Sequence, residues 1–180
     1  MVLRDTGSLL ARAGTTNNTC QTMDMVTMTF FGWPDNSPPG AGKAYTCPGR
    51  GPTSGGTGDY DDPVTIATAI GELNVCDTIY IPYLKKYGIF EGYCQDCIDD
   101  WKERKRRIDI WTGSSQEGGG EDQNTCERKF TPTAASQTII RYPPRGLDVN
   151  KGSLYDKNTQ PTCHKDTQTF SNYNAESYCH

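Results

Sequence analysis

Eight cysteines, at positions 20, 47, 76, 94, 97, 126, 163 and 179, are spread along the whole of this 180-residue chain. An even number of cysteines with that distribution reads as a disulfide framework formed in an oxidising compartment. Each bridge stabilises a fold by about 2–4 kcal/mol, mainly by restricting the unfolded chain. Spacing alone does not select the pairing. Cys94-x-x-Cys97 also has the spacing of zinc ligands, but no second such pair accompanies it. The two histidines, His164 and His180, lie far along the chain. No metal site and no cofactor is expected.

Bridges are needed because the core is thin: apolar residues make up 34% of the chain, against 19 glycines and 11 prolines. The net charge of −4 and pI near 5.2 argue against a nucleic-acid partner, which calls for a basic surface. No apolar run approaches the roughly 18 residues that read as a membrane-spanning helix, so no membrane partner is expected. The chain is expected to be secreted and extracellular, and to work as a monomer. Asn17-Asn18-Thr19 is a glycosylation acceptor in keeping with that setting.

Residues 1–18 read as a flexible leader or pro-segment. From Val26 onwards short β-rich segments alternate with turn clusters: 26–31, 64–69, 76–82, a strand starting at Ile89, 107–111 and 138–142. Tyr83–Tyr87 reads as one helical turn, Cys94–Lys105 as a short helix, and the Gly-rich stretch 116–125 as a polar loop. Cys76–Pro82 places Ile79 and Ile81 on one face. Arg107–Trp111 alternates in the same way, with Ile108 and Ile110 on one face and Asp109 on the other. Residues 19–142 are expected to form one small barrel or sandwich. Residues 143–180 read as an irregular extension tied back by disulfides.

Several of these segments resemble the three-aspartate (3D) domain: Ile79-Tyr-Ile-Pro82, Phe90-Glu91 and Arg107-Ile-Asp-Ile-Trp-Thr-Gly113, with Asp62-Pro63 similar to its early Asp-Pro step. Met28-Thr-Phe-Phe-Gly32 is similar to the opening strand of expansins and rare lipoprotein A. The chain also resembles secreted fungal proteins built on this theme. The resemblance covers residues 25–115 and implies a six-stranded double-psi β-barrel, all-β apart from short helices, with a groove for cell-wall polysaccharide. In the lytic transglycosylase A and endoglucanase relatives, the aspartate at the position of Asp109 is the general acid. The family's Glu-Asp-Thr-Gly turn is replaced here by Glu91-Gly92-Tyr93-Cys94, so its second aspartate is missing and Glu91 is the stand-in.

Glycoside cleavage needs a carboxylic acid to protonate the leaving oxygen and, in most mechanisms, a second carboxylate to activate water or attack. Asp109 is flanked by apolar residues that raise a carboxyl's pKa, which suits it to be the acid. Its partner is Asp35, Asp62 or Glu91. A lytic transglycosylase needs no partner, because a hydroxyl of the sugar attacks. Trp33, Trp111, Tyr80 and Tyr83 are the candidate sugar-stacking platform, with core packing as their alternative role. Three activities are therefore in play: a muramidase or transglycosylase acting on peptidoglycan-type glycan, a non-catalytic expansin- or barwin-like binder, and an effector that engages a host protein.

Overall fold

A computed structural model describes residues 18–113 and 118–180. Most of the expected leader, including Asn17, lies outside the described residues, as do positions 114–117. Six strands carry the fold: β1 (Gln21–Phe31), β2 (Val64–Thr68), β3 (Thr78–Ile81), β4 (Lys86–Tyr93), β5 (Arg106–Trp111) and β6 (Gln137–Arg141). They close in the order β1-β5-β2-β4-β3-β6. Two parallel pairs, β1 with β5 and β2 with β4, are joined by antiparallel ones, and the whole is a six-stranded double-psi β-barrel. Closure leaves none of the six strands with a free edge. The interior is filled by Met28, Ile66, Ile79, Ile81, Phe90, Ile108, Ile110 and Ile139, all inaccessible to solvent. The alternation seen in β3 and β5 thus turns the isoleucines inward.

Helix α1 (Gln95–Lys102) follows β4, capped by Cys94, whose sulfur accepts from the Cys97 amide at 3.0 Å. Helix α2 (Gly120–Phe130) occupies residues 120–125 of the stretch expected to be a loop. Its polar sequence hides a helical pattern. Glu121 and Asp122 begin it and Arg128 and Lys129 end it, complementing the helix dipole. Cys126 and Phe130, four residues apart, face the barrel, where Phe130 packs on Phe30 with ring centroids 5.3 Å apart. The helical turn expected at 83–87 is also replaced. The chain reverses over Pro82–Lys85, with Lys85 in the left-handed region, and β4 begins at Lys86.

All eight cysteines are bonded, as Cys20–Cys179, Cys47–Cys76, Cys94–Cys97 and Cys126–Cys163. The first ties the end of the chain to the start of β1, and the last ties α2 to the extension. That extension, which includes α3 (Lys165–Gln168), lies against the outer face of the barrel. Tyr80 and Tyr87 donate their hydroxyls to the Asp148 and Pro144 carbonyls, each at 2.6 Å. Buried Lys86 donates to the carbonyls of Thr57, Asn150 and Gly152 at 2.6–2.9 Å. The four disulfides fit a protein of an oxidising compartment. No described helix is long and apolar enough to cross a membrane.

Candidate functional site

A groove of about 620 Å³ runs across one end of the barrel. The loop 35–44 that follows β1 forms one wall, and Tyr93–Asp96, at the junction of β4 and α1, forms the other. Asp109 lies at its floor. Parallel pairing of β5 with β1 sets Asp109 opposite Thr29, and the Thr29 hydroxyl donates to its carboxylate at 2.9 Å. Burial pushes the Asp109 carboxyl up to about 7. The Thr29 hydrogen bond and Arg107 pull it down, while the charges of Asp35 and Asp96 add to the rise. The carboxyl is therefore largely protonated up to neutrality, as a general acid must be.

Asp35 lines the same groove. Its carboxylate accepts from the Gly32 amide at 2.8 Å, which closes a tight turn at the end of β1, and its charge acts on Asp109. Of the three candidate partners, the structure brings only this one to Asp109. Glu91 is fully buried, with Lys43 at 2.5 Å and Arg50 at 2.6 Å and a hydrogen bond from Thr65 at 2.7 Å. Burial alone would raise its pKa, but the hydrogen bonds from Arg50, Lys43 and Thr65 outweigh it and hold the carboxyl below the ordinary value. It is a neutralised ion cluster beneath the groove wall, not an acid or base facing substrate. Asp62 accepts from the Thr57 amide at 3.0 Å and lines a different, smaller cavity, about 250 Å³ in volume.

The proposed stacking platform is also rearranged. Tyr80, Tyr83 and Trp111 are at most 5% exposed. Tyr83 donates to the Phe130 carbonyl at 2.8 Å, and Trp111 packs edge-on against Phe31 at 5.4 Å. None presents a ring face to a ligand. Trp33 is half-buried and packs on the hydrophobic core. Of the two aromatic rings that line the groove, Phe31 is buried and Tyr93 is 57% exposed. The position of Tyr93 two residues after Glu91 was available in the sequence, but nothing there separated it from the chain's nine other tyrosines.

A third carboxylate reaches the site from α2. Glu127 is 3% exposed, accepts from the Thr112 hydroxyl at 2.6 Å, and is pushed up to about 8 by burial, with Asp35 and Asp109 adding to the rise. A perturbed carboxyl is not by itself a site. Burial lifts Glu72 to about 7 as well, yet it sits behind β2 and β5, held by Thr68 and the Arg107 amide, and lines none of these cavities. The Asp109 cluster differs because it opens on a groove. The basic run 102–107 is largely paired: Lys102 with Asp99, Lys105 with Glu103 and Arg107 with Asp96 and Asp100.

No solved structure matches the chain. A curated relative from Dictyostelium discoideum, "uncharacterized protein DDB_G0273701/DDB_G0273221", is 34% identical over 114 residues, 63% of this chain and 48% of that protein. The chain thus spans about half the length of the relative it matches. Residues 23–164 match the family model described as the DDB_G0273701 N-terminal domain, a span that takes in the barrel and most of the extension. On that match, the chain belongs to the DDB_G0273701 N-terminal domain family.

Proposed function

We propose that this is a secreted, cell-wall-active protein that cleaves a β-linked, peptidoglycan-type polysaccharide, with Asp109 as general acid and Asp35 as its partner. The observation that carries the reading is the Asp109 carboxyl, held near pKa 7 on the floor of an open groove and accompanied by a second carboxylate. In hydrolysis, the Asp109 O–H gives its proton to the glycosidic oxygen as the bond to the sugar breaks. Asp35 accepts a proton from the attacking water. In the transglycosylase variant a hydroxyl of the sugar takes the place of water. Tyr93 supplies an apolar face for a pyranose ring at the groove wall. The resemblance to the three-aspartate and lytic transglycosylase A groups supports peptidoglycan over other glycans.

The test is incubation of the protein with peptidoglycan, chitin and cellulose, followed by mass spectrometry of the soluble products. Reducing-end or anhydro-muropeptides released by the wild type and absent with Asp109→Asn support the reading; equal release by Asp109→Asn removes Asp109 from the chemistry. The burial of Glu91 in an ion cluster favours one second reading, a non-catalytic glycan binder, since the residue standing in for a family aspartate is structural. Retention on insoluble wall material with no released sugar supports that alternative.

A further inference from the structure

Behind Asp35, on the side away from the groove, a second cavity of about 350 Å³ lies between β1 and α2. Thr29, Asp35, Asn124, Glu127 and Thr131 line it. Asp35 is thus shared between the groove and this rear cavity. Gly32 makes the close approach of α2 possible, since a Cβ there would fall 2.0 Å from the Gln123 amide nitrogen and 2.6 Å from the Glu127 carboxyl. Gln123 and Glu127 both reach across to Thr112 at the end of β5.

Glu127 uses one oxygen on Thr112. Its other oxygen is buried and meets no N–H or hydroxyl donor among the described residues, while its carboxyl lies within hydrogen-bonding reach of that of Asp35. Among the described residues no cation pairs with either carboxyl. Arg128, at the mouth of the cavity, is turned to Glu121 at 2.5 Å, and Lys129 lines a separate pocket. Asp109, of the same sign, also acts on Glu127. Two ionised carboxyls in contact in such a place repel each other strongly, and a buried charged oxygen without a donor adds its own penalty. One proton between them removes both.

We propose that Glu127 is a positioning residue that keeps a proton on the carboxyl facing Asp35 and donates it as a hydrogen bond, aiming Asp35 into the groove. The positioning role rests on the reading of Asp35 as the partner carboxylate; the shared proton does not. It leaves the three-carboxyl cluster with fewer charges than oxygens suggest, and it fixes the one base that the mechanism needs without a metal or a lysine.

The experiment is a side-chain ¹³C-carboxyl NMR titration of the full chain, with the Glu127 resonance assigned by its loss in Glu127→Gln. The expected result is a Glu127 carboxyl that stays protonated past pH 7 and whose midpoint falls by at least about one pH unit in Asp35→Asn. A midpoint in the ordinary carboxylate range, or one that Asp35→Asn leaves in place, overturns the shared proton. Where glycan cleavage is measurable, Glu127→Ala should lower kcat about tenfold with little change in KM, and Glu127→Gln, which keeps an N–H donor, should recover most of that loss. Equal losses in both variants overturn the positioning role. A protein that cleaves no glycan defeats the functional reading alone, because the titration needs no substrate.

Discussion

Asp109→Asn should do more than stop cleavage: it should stabilise the protein, increasingly so as pH rises from about 4 to 7. In the unfolded chain an aspartate ionises near pH 3.9; in the folded protein burial holds Asp109 near 7. The sign follows from proton counting. Between those two values the unfolded state has released the proton and the native state still holds it, so unfolding gains on folding as pH rises. A gap of about three pH units at about 1.4 kcal/mol each sets an upper bound near 4 kcal/mol, and solvent entering the open groove reduces it to about 2 kcal/mol. Asparagine removes this penalty while its carbonyl can still accept from Thr29. Asp109→Asn should therefore match the wild type near pH 3.5, gain steadily from pH 4 to 7, and level off at about +2 kcal/mol above pH 7, a rise in Tm of about 4–8 °C. Urea unfolding of both proteins at pH 3.5, 5.5, 7 and 8.5 measures it. The contributions of Glu72 and most other titrating groups cancel in the difference. A pH-independent gap, or a variant less stable than wild type at pH 8.5, would refute the assignment of an acid whose pKa is raised by desolvation.

Three other perturbations separate structural from functional residues. Glu91→Ala leaves the buried Lys43 ammonium without its anion and Arg50 with only Asp62, at 3.5 Å, and should cost about 3–5 kcal/mol at pH 7 by urea unfolding. Because the Glu91 carboxyl is held below its ordinary value, its stabilisation is present above about pH 4.3 and should fade in wild type as pH drops further. Tyr93→Ala, at an exposed groove position, should change stability by less than about 0.5 kcal/mol but weaken retention on wall glycan, read by sedimentation with insoluble peptidoglycan. Replacing Cys20 and Cys179 with alanine opens a span of 159 residues and should cost about 5 kcal/mol, whereas the same change at Cys94 and Cys97, three residues apart, should cost about 2 kcal/mol. Comparable losses from the two pairs would mean that strain or packing outweighs loop closure.

The barrel strands were legible because their signal is local. Ile108 and Ile110 alternate with Asp109, and Ile79 and Ile81 alternate with Tyr80, so a period of two marks the inward face from a handful of neighbouring residues. Tyr80 shows where that reasoning stops. It points away from the isoleucine face, as the alternation implies, yet it is inaccessible because Asp148 and Tyr178, about 70 and 100 residues later, cover that outer surface. A period-two pattern says which side a residue faces and nothing about what the rest of the chain lays over that side. The same limit applies to Glu91. Its role is set by Lys43 and Arg50, more than forty residues upstream, and no spacing rule connects them.

The candidate site follows the same division. Asp109 could be named as the candidate acid from its residue type and its strand alone, and the structure places it on the groove floor. Glu127 could not be named in that way, because α2 opens with glycine and carries few apolar residues. Its helical character rests on Cys126 and Phe130 spaced four apart and on acidic-first, basic-last ends, each a weak indication alone. Yet α2 supplies the group that decides how many protons the carboxyl cluster holds. Here β5 presents the candidate carboxyl, and its environment is set by what packs behind it. That layer here comes from α2 and the turn after β1, elements whose sequences have little apolar pattern. Reading a carboxylate as an acid therefore takes only its strand. Judging whether it is protonated at working pH takes the layer behind it, and Glu127, pressed against the glycine at the end of β1, is where the two meet.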